Sequence, residues 1–217
     1  PSLEFLLKNF PDIPFIKIDQ PRITELLNKY GIWWYGKIGE ELSKEYKLVV
    51  QIDADSCVAG RLSEVFDDKR DWELASVLNG SIGGFQTTLA GVANVFKYLN
   101  AGFVASTSPK FWKEWSERTI KTYYQYAYGE QDILNIMVHK EKKYKTKILD
   151  GEGTNVYYGS STIGHYKDMY MEGDKVMLYK KQVKCLHTAG QRQQGKLWFG
   201  ECPQDVFNYL SKLMGEF

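Results

Sequence analysis

Leu48, Val49 and Val50 stand together, and Ile52 follows after a single polar residue. So continuous an apolar run predicts a strand buried on both faces. The residues around it alternate between helical and extended patterns. Residues 2–10 place Leu3, Leu6, Leu7 and Phe10 on one helical face, and "IPFIKID" (13–19) has strand character. Pro21 opens a second helical pattern that Gly31 closes, and residues 38–46 form a third. Beyond the run at 48–52, "WELASVLNGSIGGF" predicts a strand entering a Gly-rich loop, and "GFVAS" a short strand. Ser108 and Pro109 are suited to the N-cap and first residue of a helix through "KFWKEWSERTIKTYYQY". "EQDILNIMVHK" predicts another helix and "KYKTKILD" a strand. Residues 150–175, rich in Gly, Ser, Thr and Tyr, predict a loop. "KVMLYKKQVKCLH" predicts paired strands, and "CPQDVFNYLSKLM" a closing helix with Pro203 near its start.

Helices and strands in this alternation are the grammar of a parallel sheet with covering helices. There is no internal repeat and no linker-like tract, so residues 1–217 are expected to form one α/β domain. The pattern begins at Pro1 already inside a helix, which suggests a segment of a longer chain. Composition narrows the class of partner. The 28 Lys+Arg against 27 Asp+Glu leave a net charge of +1, without the basic surplus of a nucleic-acid binder. Three cysteines, Cys57, Cys185 and Cys202, form no CxxC spacing, which points to a reducing compartment rather than to a disulfide framework or a structural zinc site. No apolar run is long enough for a transmembrane segment, and no signal-peptide pattern opens the sequence, so the expected location is cytoplasmic.

The chemistry concentrates where the run at 48–52 ends. "KLVVQIDADS" (47–56) sets Asp53 and Asp55 one residue apart at the carboxyl end of a strand, which is where open α/β sheets bind ligands. Strand alternation would aim both carboxylates the same way. Like charges so close raise the cost of ionising each other, so a cation between them is expected. Two families place D-x-D after an apolar strand: haloacid-dehalogenase-type phosphatases and nucleotide-sugar glycosyltransferases. The phosphatase pattern wants a later G-D-x-x-x-D, and "GDKVML" offers Leu178 in place of the second acid.

Three further segments follow in order: "YLNAGFVAS" (98–106), "YGEQDILNIM" (128–137) and "CLHTAGQRQQGKLW" (185–198). Each alone has an ordinary explanation. Asn-Ala-Gly suits a turn entering a strand, the acids of Glu130–Asp132 suit a helix start, and a lone His in a strand is commonly structural. Together with the D-x-D they resemble the GT-A-fold glycosyltransferases. More narrowly, they are similar to the retaining hexosyltransferases that include glycogenin and the bacterial lipooligosaccharide galactosyltransferases. The resemblance covers roughly residues 30 to 200. It implies a Rossmann-like GT-A fold, with a mixed, mostly parallel central sheet flanked by helices.

The resemblance also implies roles. Asp53, Asp55 and His187 would ligate a divalent cation, Mn²⁺ rather than Mg²⁺ because one ligand is an imidazole. Lys196 and Gly190 would meet the donor diphosphate. Asn100, Ala101 and Asp132 would hold the donor sugar, Gln131 would lie near its anomeric carbon, and Lys37 would fill the place of a donor-binding Arg. Glu130, Gln131 and Asp132 are the candidates for the group that stabilises positive charge on the sugar. The implied partners are a UDP-sugar donor and a glycan or glycoprotein acceptor, with the sugar's configuration retained. The family's first strand is not visible ahead of residue 1, so it is either missing from this sequence or its work is done by "IPFIKID", and the H-x-x-G-x-x-K-P-W ending is altered by a longer loop and by Leu197 before Trp198. Trp33, Trp34, Tyr157 and Tyr158 lie in expected loops and could offer an acceptor platform. The competing reading is a catalytically inactive carbohydrate- or nucleotide-binding domain of the same fold, with a D-x-D phosphatase behind it.

Overall fold

A computed structural model describes residues 25, 28, 35–53, 55–66, 68–79, 97–149, 158–160, 166–187, 192–193, 196–197 and 202–214. The expected helix at 2–10, the strand at 13–19 and the Gly-rich loop after Asn79 lie outside the described residues. Of the helix expected at 21–31 only Glu25 and Asn28 are described, both helical.

The central sheet has four described strands: β1 (Val49–Ile52), β3 (Leu74–Leu78), β4 (Leu99–Ser106) and β5 (Thr146–Ile148), in the order β1-β4-β3-β5. β4 runs antiparallel to both its neighbours, and β3 pairs with β5 in parallel. Three of the four strands therefore share one direction, and the sheet is mixed and partly parallel, as a GT-A-type fold was expected to be, with two of its three pairings antiparallel. All eight residues of β4 are buried, and so are all five of β3. The apolar strand at 48–52 is different. Only Val49 is buried in β1, which stands at the edge of the described sheet. Continuous apolar composition marked a strand correctly but overstated its burial.

Successive residues of β4 serve opposite faces. Leu99 and Val104 join Phe111, Trp112 and Trp115 under the helices on one face, whereas Phe103 and Ala105 join Val65, Trp72 and Cys185 on the other. The first face is covered by α3 (Pro109–Thr122) and α4 (Glu130–Asn135), with α1 (Tyr35–Leu42) laid against α3. Here α2 is Ser63–Phe66. Ser108 caps α3 as expected, its Oγ accepting the Phe111 N–H at 3.3 Å. α4 runs on into one turn of π-helix over Ile136–Lys140, closed by Glu141 N–H donating to the Ile136 carbonyl at 2.9 Å.

A second sheet carries the far side of the site. β2 (Ser56–Val58), β6 (Tyr158–Ser160) and β10 (Cys185–His187) lie in the order β2-β10-β6. β7 (Tyr170–Glu172), β8 (Lys175–Leu178) and β9 (Lys181–Gln182) form an antiparallel meander packed with α5 (Gln204–Leu213). β11 (Arg192–Gln193) and β12 (Lys196–Leu197) are a small hairpin. The loop expected over 150–175 thus holds β6, β7 and a 3-10 turn at Tyr166–Asp168. Three-residue strands with Gly, Ser or exposed positions inside them give too few alternations to be read as strands. Among the described residues no helix is long and apolar enough to cross a membrane.

Candidate functional site

β1 ends at Ile52, and the next residue is still bonded to β4: the Asp53 N–H donates to the Gly102 carbonyl at 2.9 Å. The chain then turns at once, with the Ser56 N–H donating back to the Asp53 carbonyl at 3.0 Å, and leaves as β2. Asp53 and Asp55 therefore flank a turn rather than alternate along a strand. The expectation that the two carboxylates converge holds, but the cause is the turn and not the pleat.

The third member arrives by strand register. β10 pairs antiparallel with β2 so that His187 stands opposite Ser56, the residue after Asp55. Its Nε2 lies 2.9 Å from Asp55 Oδ1 and 3.6 Å from Asp53 Oδ2. One ligand atom from each of the three residues falls within 4.8 Å of the other two. Around a small octahedral dication, neighbouring ligands at ~2.1 Å from the ion stand ~3.0 Å apart. Spacings of 2.9 and 3.6 Å suit such ligands. The chemistry of the set also fits: two hard carboxylate oxygens with one imidazole nitrogen. His187 is buried, whereas 44% of the Asp53 side chain is exposed, so the cluster opens to solvent on the Asp53 side. Partial burial lifts the Asp53 pKa above the ordinary carboxylate value. His187 opposes the rise and Asp55 adds to it.

The neighbouring part of the site is built on an irregularity in β4. Pairing with β3 runs from Ser76↔Val104 directly to Val77↔Asn100, so Ala101, Gly102 and Phe103 have no partner across β3. A bulge of this kind frees backbone groups and re-aims side chains. Here side chains take up the freed groups. The Ala101 N–H donates to Gln131 Oε1 at 3.0 Å, and the Gly102 N–H donates to Asn100 Oδ1 at 2.6 Å. Ser76 Oγ–H donates to the Asn100 carbonyl at 2.9 Å. Gln131 and Asp53 are thus bound to adjacent residues of β4, Ala101 and Gly102. This juxtaposition joins the acidic cluster to the "EQD" segment.

Within that segment the three candidates differ. Gln131 is half-buried at the site, and with Glu130 it lines a groove of about 410 Å³ whose other walls include Tyr124, Tyr126 and Tyr128. The Glu130 carbonyl accepts the Trp115 indole N–H at 2.9 Å, which fixes the start of α4 on α3. Asp132 is fully buried. Its Oδ1 accepts the Tyr98 hydroxyl and its Oδ2 accepts the Tyr128 N–H at 2.8 Å. That is the geometry of a residue reaching back to the helix start, the ordinary explanation its sequence position also allowed. Burial, and then the bond to Asp132, push the Tyr98 phenol far above its usual pKa, so it remains a donor.

Lys37 is half-buried on α1 and ion-paired with Glu40 one turn along. The Lys196 backbone lies in β12, but its side chain lies outside the described residues, as do Gly190, Trp33, Trp34, Tyr157 and the side chain of Tyr158. Sequence reasoning missed Asn79 and Tyr98. Asn79 had a readable signal, since it ends an apolar strand just as Asp53 does. Tyr98 did not, because nothing in its neighbours announces a buried hydroxyl.

No family model and no curated protein sequence matches this chain. Solved structures do. The WbbM bifunctional glycosyltransferase in its apo form is 13% identical, with a TM-score of 0.59 over 97% of this chain. The chain spans 40% of WbbM's length. The galactosyltransferase LgtC, solved with donor and acceptor sugar analogues, is 19% identical, with a TM-score of 0.55 over 95% of this chain and 76% of its own. At these identities the likeness is one of fold. The fold is that of the GT-A-type glycosyltransferases, in agreement with the resemblance read from the four segments.

Proposed function

We propose that this protein is a metal-dependent glycosyltransferase that moves a hexose-type sugar from a UDP-sugar donor to a hydroxyl of a glycan or glycoprotein acceptor, with retention of configuration. The observation that carries the reading is the meeting of Asp53, Asp55 and His187 at the end of β1, with Gln131 bound to Ala101, next to the β4 residue that Asp53 bonds. On a GT-A-type fold this is the expected place for a nucleotide-sugar diphosphate. The same cluster of oxygen and imidazole ligands favours Mn²⁺, with Mg²⁺ as the alternative ion. A bound dication supplies charge that offsets the negative charge of the diphosphate.

In the transfer, the bond between the anomeric carbon and the diphosphate oxygen breaks and its electron pair stays with UDP. A new bond forms to the acceptor oxygen, whose proton is released. The sugar passes through a state with positive charge shared by its anomeric carbon and ring oxygen. Gln131, held by its Oε1 at the Ala101 N–H, is the residue we assign beside that carbon. We assign Asn100, with Ala101 beside it on the bulge, and Glu130, at the groove, to the sugar hydroxyls on the sequence pattern. We assign Asp132, bonded to Tyr98 and to the Tyr128 N–H, to holding the start of α4, as a positioning residue. Lys196 and Gly190 remain assigned to the diphosphate on the sequence pattern alone, and Lys37 to the donor. Three cysteines without CxxC spacing would suit a reducing compartment.

Calorimetric titration of UDP into the protein tests the reading, with and without Mn²⁺. Wild type should bind UDP measurably with Mn²⁺, and Asp55→Ala should lose that metal-dependent binding while keeping its fold. Equal UDP binding by both proteins would remove the assignment.

A further inference from the structure

We propose that Asn79 is a positioning residue that fixes which way round the Gln131 and Asn100 side-chain amides face, and through Gln131 sets the polarity presented to the donor sugar. The functional half of this proposal rests on the glycosyltransferase reading above.

The inference begins with the bulge in β4. Its two freed N–H groups, on Ala101 and Gly102, are taken by the oxygens of Gln131 and Asn100 at 3.0 and 2.6 Å. Pinning the oxygen of an amide also fixes the side on which its nitrogen lies. Both nitrogens point to one atom. Asn100 Nδ2 donates to Asn79 Oδ1 at 2.6 Å, and Gln131 Nε2 donates to the same oxygen at 3.4 Å. A carbonyl oxygen has two lone pairs and can accept both. Asn79 is itself held at the end of β3, where its N–H donates to the Tyr98 carbonyl at 2.8 Å. One oxygen therefore ties β3, the bulge of β4 and the first turn of α4 together.

The polarity matters because the two ends of an amide have opposite effects on a sugar gaining positive charge. A carbonyl oxygen beside the anomeric carbon stabilises that charge, and an N–H beside it does the reverse. With Asn79 present, a flip of the Gln131 amide would set its oxygen against the Asn79 oxygen and its nitrogen against the Ala101 N–H. Both contacts would then be repulsive. Without the Asn79 oxygen the flip is resisted only by the Ala101 contact and by a bond to the Tyr98 hydroxyl, which can also donate and so opposes it less. A group acting in this way lowers turnover when lost and leaves donor binding largely intact.

Three variants separate acceptor chemistry from shape. Asn79→Leu keeps the size and removes the oxygen, Asn79→Ala removes both, and Asn79→Asp keeps an acceptor for both amides. The first readout needs no activity. In wild-type protein labelled with ¹⁵N, the side-chain NH₂ signals of Gln131 and Asn100, assigned by their absence in Gln131→Met and Asn100→Ala, should exchange slowly with solvent. Asn79→Leu and Asn79→Ala should speed that exchange, and Asn79→Asp should restore protection. Free exchange in the wild type would overturn the proposal even if every variant failed to fold. The second readout is kinetic. Loss of the oxygen should lower kcat for UDP-sugar turnover by about a hundredfold, the scale of a misplaced reacting group, with little change in donor KM, and Asn79→Asp should recover most of it. If wild type turns over the donor and Asn79→Leu matches its kcat, the positioning role fails alone. If wild type turns over no UDP-sugar, the glycosyltransferase reading fails, and the amide signals still decide whether Asn79 orients Gln131.

Discussion

At the scale of single residues, the site is a matter of how few groups share how small a space. Asp53, Asp55 and His187 meet because a turn follows β1 and because β10 pairs with β2 in the register that faces His187 with Ser56. The partial burial that lifts the Asp53 pKa has a consequence for metal binding. Since the folded protein holds a proton on Asp53 to higher pH than the unfolded chain does, this group favours folding most at low pH. That contribution is lost as pH rises from the unfolded value of 3.8 through the folded one. A dication must displace that proton, so acidification should weaken Mn²⁺ binding at a pH where a fully solvated Asp would still be ionised. The rise in Tm produced by Mn²⁺ should therefore shrink as pH falls toward the raised Asp53 pKa, and His187→Ala should reduce Mn²⁺ affinity less than Asp55→Ala, since imidazole brings no charge. Titration followed by electron paramagnetic resonance of free Mn²⁺ checks both, and a Mn²⁺ affinity that is flat with pH would contradict them. Asp53 and Asp55 were legible because charge at the end of an apolar run is conspicuous. His187 became legible only as part of an ordered set of motifs. Asn79 carried the same strand-end signal as Asp53 but lacked a charge to draw notice.

At the scale of elements, two contacts decide how firmly the helices hold the site. Tyr98, at the start of β4, donates to the buried Asp132 of α4. Tyr98→Phe removes a bond to a buried carboxylate, and such bonds contribute about 1.5–3 kcal/mol. Urea unfolding should show a loss in that range, and an unchanged midpoint would mean that Asp132 is braced by the Tyr128 N–H alone. The second contact is between α1 and α3. A Cβ at Gly39 would stand 2.5 Å from Trp112 Cε3, and the Trp112 ring is boxed in by Phe111 and Trp115 at 5.4 and 5.7 Å between ring centres. Gly39→Ala gains ~1 kcal/mol of helix propensity but costs about 1–3 kcal/mol in overpacking, since the ring cannot yield. A lowered Tm is expected, and a raised one would show slack in that contact. Helical elements were readable from their periodicity, α3 and α5 above all. The bulge in β4 was not, because a strand buried along its whole length shows no alternation from which register could be read. β6 and β7 escaped for the opposite reason, being too short to alternate.

At the scale of the whole molecule, the order of the segments along the chain carried more information than any segment did. An apolar strand with D-x-D, N-A-G, E-Q-D and a late His each had an ordinary explanation. Only the fold makes them neighbours, through β4, which lies at the centre of the sheet and bonds to the Asp53 backbone and the Gln131 side chain at adjacent residues. The mixed, partly parallel sheet flanked by helices was foreseen, as was the GT-A-type fold that WbbM and LgtC share with this chain. What sequence could not rank was the "EQD" triplet. The structure separates a buried, doubly bonded Asp132 from a half-buried Gln131 whose Oε1 accepts the Ala101 N–H. The central claim is metal-dependent transfer from a UDP-sugar at the Asp53–Asp55–His187 cluster. Its most direct test is UDP release across a panel of UDP-hexoses, measured with Mn²⁺, with chelator, and with Asp55→Ala in place of wild type. Release from at least one donor that requires Mn²⁺ and vanishes in Asp55→Ala is the predicted result. Release that persists under chelation or in the variant, or none from any donor with Mn²⁺ present, would contradict the account.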